Sequence, residues 1–331
     1  MVTRLFVDAW DPGYGSSFEP ADVGAPEAQS SAQLDADVEL PADSWRALSP
    51  PADLRAPAVV LLVDGVRRND ARIWTEEEDG TSYAGLAASY AAGVVRCDLR
   101  RGVAELVASR IGRGLFTASP GAADVAAGQV RYAVHRVRHG EPEKLQAAVQ
   151  GPLTELEVGV SVAARLDTAD DDDLLVVDGP LRGRRHLPRT VGYVKTHRTQ
   201  YLPVPLAAVV TALRPGQRSP VFTFGTAWGG HSWYLRLPGP PGAPWAGIVR
   251  GECSTELPTQ EVIRLADLSA VTLPRFASTS YKDPRAPQNL IPIGGLERRL
   301  RGLLGDPRLL HRALTSAVVA QARPDPAVVD P

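Results

Sequence analysis

The chain has 331 residues, of which 44% are hydrophobic and 22% charged, so it can bury a sizeable core and is not disordered throughout. Its 36 Lys and Arg stand against 38 Asp and Glu, which excludes a uniformly basic nucleic-acid binder and leaves that role to a local basic patch. Two cysteines exclude a disulfide framework and a CxxC metal site. The sequence shows neither a signal-peptide core nor an apolar run of membrane-spanning length, so we expect a cytoplasmic protein without a membrane role of its own.

Residues 8–53 contain ten acidic residues and one basic residue, together with many Pro, Gly, Ser and Ala. Such a segment buries little by itself, so we predict a peripheral acidic N-terminal arm over residues 1–56. Alternation of apolar and polar residues over 34–40 predicts a half-buried strand, and we expect Trp45 to pack the arm against the body. A Pro-rich tail over 323–331 is expected to be disordered, which leaves 57–322 as the main domain.

Two apolar runs predict strands that are buried on both faces. Residues 59–63 form the first run and residues 174–177 the second. Each run is followed by Asp-Gly, where we expect the strand to end. The residues after the first run, to 97, read as two more strands of an antiparallel meander.

Several further elements are predicted along the chain. Residues 142–166 carry apolar side chains at spacings of three and four, which predicts a helix that Gly151 and Pro152 kink or divide. Residues 103–117 and 130–138 are compatible with strands or a short helix. Later strands are expected near 191–195, 221–224, 234–237 and 248–250, and later helices over 206–213, 258–270 and 294–317. The pattern indicates an α/β protein with a mixed β-sheet flanked by helices.

The two Asp-Gly positions suggest a metal site. Asp64 and Asp178 follow buried strands, and in a mixed sheet their carboxylates can meet at one edge of the core. Clustered carboxylates are stabilised by a hard divalent cation such as Mg²⁺ or Mn²⁺. For a third ligand the helix offers Glu155 and Glu157, and Glu157 is preferred because it borders the apolar face. Asp-Gly also marks ordinary turns, and the helix carboxylates could simply be solvated.

The most basic stretch of the chain directly follows Asp178. A phosphodiester substrate would need such a patch beside the carboxylates. A solvated basic loop that neutralises the acidic arm is the alternative. Lys195 is the preferred candidate because it ends an apolar strand, where a charged group is costly unless it has a partner or a ligand. The candidate DNA-binding residues are Arg67, Arg182, Arg184, Arg185 and Lys195.

Four segments in order, over roughly residues 57–200, resemble the NurA nucleases. They are the strand ending at Asp64, the helix with Glu157, the block ending in Asp178-Gly179-Pro180-Leu181, and the strand over 191–195. The resemblance implies an RNase H-like fold in which Asp64, Glu157 and Asp178 bind Mn²⁺ or Mg²⁺ for cleavage of DNA. It also implies a homodimer that works with a hexameric HerA-like ATPase.

The C-terminal part matches that family less well. The family usually adds a His near a late Pro-containing turn, and the comparable residues 281–292 contain none. Asn289 or Asp283 could replace it as an oxygen ligand. The acidic arm has no counterpart in the family and could dock the ATPase or guard the basic groove.

Two hypotheses about the function follow from these features. The first is a metal-dependent deoxyribonuclease in which paired cations activate water and basic side chains hold phosphates, in DNA end processing or in defence. The second is a catalytically inactive adaptor or DNA clamp for a ring ATPase. Nucleophilic catalysis fits less well, because there is no GxSxG motif and Cys97 and Cys253 read as small buried side chains. No phosphate-binding loop is present, so any use of ATP should belong to a partner.

Overall fold

The structure is a computed structural model that describes residues 28–29, 33–167, 172–197, 199–225, 230–240, 242–283 and 285–321. Most of the N-terminal half of the predicted arm and all of the 323–331 tail lie outside these residues. Among the described helices, none combines the length and the apolar character that a membrane crossing requires.

Along the described chain, seven strands precede the first α-helix, and the later strands and helices come in groups. The strands are β1 Ala28–Gln29, β2 Gln33–Asp35, β3 Val59–Glu76, β4 Ser82–Asp98, β5 Val103–Thr117, β6 Val125–Ala127, β7 Val130–Arg136, β8 Asp173–Asp178, β9 Thr190–Val194, β10 Thr199–Gln200, β11 Phe222–Gly225, β12 His231–Arg236 and β13 Ile248–Cys253. The helices are α1 Pro142–Ala148, α2 Gln150–Asp167, α3 Val204–Thr211, α4 Thr259–Thr272, α5 Ile291–Leu303 and α6 Pro307–Gln321. The predicted α/β class, with a large mixed sheet flanked by helices, is confirmed.

The chain divides into two compact units. The first comprises the described residues of Met1–Val63, Val95–Glu105 and Arg165–Gly295. Its strands follow the order β2-β11-β12-β13-β9-β8-β3. The pairs β3-β8 and β8-β9 are parallel, whereas the pairs from β9 to β2 are antiparallel. Because the parallel strands are covered on both faces, they are built from uninterrupted aliphatic runs.

The described part of the acidic arm packs on the first unit. Strand β2 pairs with β11, and the alternation over 34–40 forms only this short strand. Trp45 is buried, as expected: its Nε1 donates to the Ala36 carbonyl at 2.9 Å, and its ring lies 6.0 Å from that of Phe222. Aromatic contacts of this kind bury large areas, which accounts for an ordered arm segment despite its acidic composition.

The second unit comprises the described residues of Asp64–Val94, Leu106–Ala164 and Leu296–Pro331. Its strands follow the order β3-β4-β5-β7-β6. The alanine-rich strand β4 is buried along most of its length, and at Gly93 the side chains of Leu296 and Leu300 from α5 approach the backbone. Helix α6 packs on β6 through Leu314. The region 103–117 is a strand, as is 130–136.

Three predicted boundaries are corrected. Strand β3 does not end at Asp64-Gly65 but continues to Glu76, because β4 lies beside it in the sheet. Within this continuation Asp70 is buried with three partners: Arg68 Nε at 2.8 Å, Ser89 Oγ at 2.5 Å and Tyr132 OH at 2.9 Å. The helix over 142–166 is divided, which is one of the two predicted outcomes, but the break lies at Val149 and not at Gly151 and Pro152, which are inside α2.

The helix predicted over 294–317 is also two helices. Helix α5 ends before Gly305, which has φ +82°. The Asp306 carboxylate then caps α6 by accepting from the N–H groups of Arg308 and Leu309 at 2.8 and 3.0 Å. Glycine at a helix end is a standard stop signal, and Asp before a following Pro is a standard start signal. The Gly-Asp-Pro sequence therefore indicates this break.

Candidate metal centre

The two predicted aspartates follow a pair of parallel strands. The register of β3 and β8 pairs Val63 with Val177, and the next residues along these strands are Asp64 and Asp178. Both aspartates are half-buried, directly after runs that are almost inaccessible to solvent. The two strands therefore deliver both carboxylates to the same end of the strand pair, as the repeated pattern of apolar run and Asp-Gly suggested.

A third carboxylate belongs to the same group. Asp64, Asp178 and Glu297 each offer an oxygen, and these oxygens lie within 4.8 Å of one another. Glu297 comes from α5 and is 6% exposed. A donor set made only of carboxylate oxygens fits a hard divalent cation such as Mg²⁺ or Mn²⁺ and does not fit a metal that prefers sulfur or nitrogen.

Glu297 was missed by the sequence reasoning, although a signal was present. It lies four residues after Ile293 and three before Leu300, both of which are fully buried. A carboxylate on the apolar face of a helix was the argument used for Glu157, and it applies equally here. Of the two expected substitutes for the missing His, Asp283 does not belong to the group of three carboxylates.

Glu157 lies beside Gly65. It is buried and Glu155 is exposed, which is the orientation that the helix pattern predicted. A Cβ atom on Gly65 would lie 2.6 Å from Glu157 Oε1 and 2.7 Å from Leu153 Cδ1, so any larger residue here would force these two side-chain ends to shift. Glu157 is not one of the three carboxylates within 4.8 Å of one another.

Asp178 is held by a chain of polar side chains. Lys195, the residue after β9, donates from Nζ to Asp178 Oδ2 at 2.6 Å and to Asn289 Oδ1 at 3.2 Å. Asn289 in turn donates from Nδ2 to Asp283 Oδ2 at 2.5 Å. The Asn289 carbonyl thus accepts from Lys195, and its role as a metal ligand stays a prediction. The pKa of neighbouring Tyr193 lies well above its usual value, mainly because the side chain is buried and also because Asp178 is negatively charged.

The turn after Asp178 is fixed by backbone and buried charge. Gly179 has φ +103°, a conformation that favours glycine, and exchanges backbone hydrogen bonds with Tyr193 at 2.8 and 3.1 Å. Two residues later, the Leu181 N–H donates to Glu252 Oε1 at 2.7 Å. Glu252 is itself buried and paired with Arg250 at 3.1 Å. The start of the basic loop is therefore anchored.

The predicted DNA-binding residues occupy different environments. Arg184 is 1% exposed, and its guanidinium donates to the carbonyls of Leu181 and Pro180, so it stabilises the loop and does not present charge to a ligand. Arg182 is exposed and Arg185 half-buried. Arg67 is also exposed and donates to the Gln146 carbonyl at 3.2 Å.

Cys97 and Cys253 are buried free thiols, as expected. Burial raises the pKa of Cys97 to about 11 and also raises that of Cys253, so both stay protonated and unreactive at neutral pH.

Comparison with known proteins gives no assignment for this chain. No protein-family model matches the sequence, and no curated protein matches it either. Among solved structures, the chain is similar to Endonuclease V from Bacillus subtilis, with 11% identity, a TM-score of 0.31, and coverage of 77% of this chain and 85% of the other. The catalytic domain of human Endonuclease V gives 16% identity, a TM-score of 0.29, and coverage of 75% and 82%. Similarity at these TM-scores carries no argument about function.

Proposed function

We propose that the chain is a metal-dependent deoxyribonuclease of RNase H-like fold. The observation that supports this most directly is the convergence of Asp64 and Asp178 from two paired parallel strands, with Glu297 as a third carboxylate within 4.8 Å. Two half-buried carboxylates and one buried carboxylate so close together repel one another unless a cation offsets their charge. Oxygen-only sites of this kind suit the divalent cations used for phosphodiester hydrolysis.

Each residue then has a defined task. Asp64, Asp178 and Glu297 would hold Mg²⁺ or Mn²⁺, and Glu157 would stand beside Gly65 as a further acidic group. When bound, such a cation supplies Lewis-acid chemistry at a phosphoryl oxygen. Arg67, Arg182 and Arg185 would bind backbone phosphates and orient the strand. Arg184 is left out of this set because it is buried.

The proposal extends to partners through the sequence resemblance to NurA nucleases. On that reading the chain forms a homodimer and acts in the cytoplasm with a hexameric HerA-like ATPase, which would supply DNA translocation in repair or in defence. Co-purification with a HerA-like ring and a dimeric mass in solution would support this part. A monomer that does not associate with such a ring would contradict the partner proposal and leave the nuclease proposal standing.

The nuclease proposal is tested with two carboxylate variants. Asp178→Asn and Glu297→Gln each remove a charge without changing side-chain volume, so DNA cleavage in Mn²⁺ should fall by about 100-fold or more. Exposed Asp53→Asn is the matched control and should cleave like the wild type. Circular dichroism checks that the variants are folded.

Cleavage at the wild-type rate by Asp178→Asn would contradict the proposal. Mn²⁺ binding without any cleavage by the wild type would instead favour the inactive adaptor or DNA clamp. Isothermal titration calorimetry with Mn²⁺, beside a gel assay on linear and circular DNA, separates these results.

A further inference from the structure

The ammonium group of Lys195 contacts Asp178, one of the candidate metal ligands. Lys195 Nζ is 2.6 Å from Asp178 Oδ2, and the two side chains are only 19% and 9% exposed. A charge-assisted contact of this length is among the stronger hydrogen bonds in proteins. The carboxylate that the proposed metal would need is therefore already bound to an ammonium group.

The ammonium group is also held from a second side. Asn289 is fully buried, and its two amide ends are assigned by their partners. The ammonium of Lys195 can only donate and the carboxylate of Asp283 mainly accepts, so Oδ1 faces Lys195 and Nδ2 faces Asp283. Asp283 in turn accepts from the Arg285 backbone N–H at 2.8 Å. This chain of contacts keeps Lys195 in place beside Asp178.

Two opposing effects decide what Lys195 does to metal affinity. Its hydrogen bond orients Asp178, and loss of such an outer contact typically weakens metal binding by about 10- to 100-fold. Its positive charge, however, repels a divalent cation twice as strongly as it would repel a monovalent one at the same distance. In a half-buried site, where screening by water is reduced, we expect the repulsion to be the larger effect.

We propose that Lys195 is the resident counter-ion of Asp178, and that a divalent cation displaces its ammonium group when it binds. The proposal rests on the metal centre proposed above. It gives Lys195 a role before DNA is present, in addition to the phosphate contact expected from the sequence. In the metal-free protein, Lys195 would offset the repulsion among the carboxylates of Asp64, Asp178 and Glu297.

The first test measures binding of Mn²⁺ alone to the full chain by isothermal titration calorimetry. Lys195→Met should bind Mn²⁺ about tenfold more tightly than the wild type, because the competing charge is gone. Lys195→Arg keeps the charge and should bind like the wild type. Exposed Lys144→Met removes the same charge from α1 and is the matched control, with unchanged affinity expected. If Lys195→Met does not fold, Lys195→Gln replaces it, since its amide still donates but carries no charge.

The second test follows the ammonium group directly. The chain contains three lysines, Lys144, Lys195 and Lys282, so their ¹⁵Nζ signals can be assigned by single variants. Addition of diamagnetic Mg²⁺ should shift the Lys195 signal and leave that of Lys144 unchanged. An unchanged Lys195 signal at saturating Mg²⁺ would overturn the proposal.

The outcomes also separate this inference from the proposed function. If the wild type binds Mn²⁺ and Lys195→Met binds it equally or more weakly, Lys195 is a positioning residue and the counter-ion proposal is wrong, while the metal centre stands. If the wild type binds neither Mn²⁺ nor Mg²⁺, both proposals are wrong.

Discussion

His197 is a pH-sensitive residue in the core of the first unit. It is 5% exposed, its ring lies against Tyr234 and Trp245, and Nε2 is 2.9 Å from the Ile248 carbonyl. Because a carbonyl only accepts, Nε2 must carry the proton, and the neutral ring satisfies this bond. Burial lowers the pKa of His197 to about 4, from 6.5 in an unfolded chain.

The direction of the pH effect follows from proton binding. Between pH 6.5 and about 4 the unfolded chain binds a proton at His197 and the folded chain does not, so unfolding is favoured as the pH falls. From pH 7 to pH 5 the free energy of unfolding should drop by about 2 kcal/mol through this residue. Urea titrations of the wild type and His197→Gln at both pH values measure it. An equal pH dependence in the two proteins would show that His197 is not the source.

At the scale of elements, Gly65 on strand β3 leaves room for two side-chain ends of helix α2. A methyl group at this position would occupy the space of Glu157 Oε1, which must then move. We expect Gly65→Ala to keep the fold but to reduce DNA cleavage by about tenfold or more, since small displacements of acidic groups are costly at a reacting centre. Gly151→Ala, in the same helix with no atom within 4 Å of its Cβ position, is the control and should raise stability slightly. Full activity of Gly65→Ala would show that the position of Glu157 is unimportant.

A buried arginine ties the acidic arm to the sheet. Arg218 is 2% exposed and donates to both carboxylate oxygens of Glu39 at 2.7 and 2.9 Å and to Asp267 at 2.7 Å. Arg218→Met would leave two carboxylates without their buried cation, and such a loss costs about 3–5 kcal/mol. Chemical denaturation should show this decrease, whereas exposed Arg46→Met should change stability by less than about 0.5 kcal/mol. A small effect at Arg218 would mean that the arm segment is held by Trp45 packing instead.

The elements that could be predicted are those with a local pattern. The apolar runs before Asp64 and Asp178 identified two buried strands, and the helical spacing placed Glu157 inward. The continuation of β3 past Gly65 could not be predicted locally, because it depends on the neighbouring strand β4, from which Ser89 also contacts the buried Asp70.

The same limit applies to the candidate site. A carboxylate's partner is set by tertiary structure. The sequence therefore indicated that a charged Lys195 at the end of an apolar strand needs a partner, but not that this partner is Asp178. The burial of Arg184 could not be predicted, because it depends on the backbone carbonyls that its guanidinium contacts in the folded loop.

At the scale of the whole molecule, the net charge of -2 limits how DNA can be bound. With no general positive field, affinity must come from a few local phosphate contacts, each of which releases counterions from DNA. Lys195 is partly buried and binds Asp178, which leaves Arg67, Arg182 and Arg185 as the other candidates that are not fully buried. Replacing all three with Ala should weaken DNA binding and make the plot of log affinity against log salt shallower by up to about 3 in slope.

The control for this experiment must remove the same total charge. Arg101, Arg138 and Arg308 are exposed, and their triple Ala variant has the same net charge as the test variant. Binding is measured by fluorescence anisotropy on a short duplex at several salt concentrations, in Ca²⁺ or chelator so that no DNA is cleaved. If local contacts govern binding, only the first variant loses slope. Equal losses in both variants would show that DNA responds to the overall charge, and an unchanged slope in the first would place the phosphate contacts elsewhere on the protein.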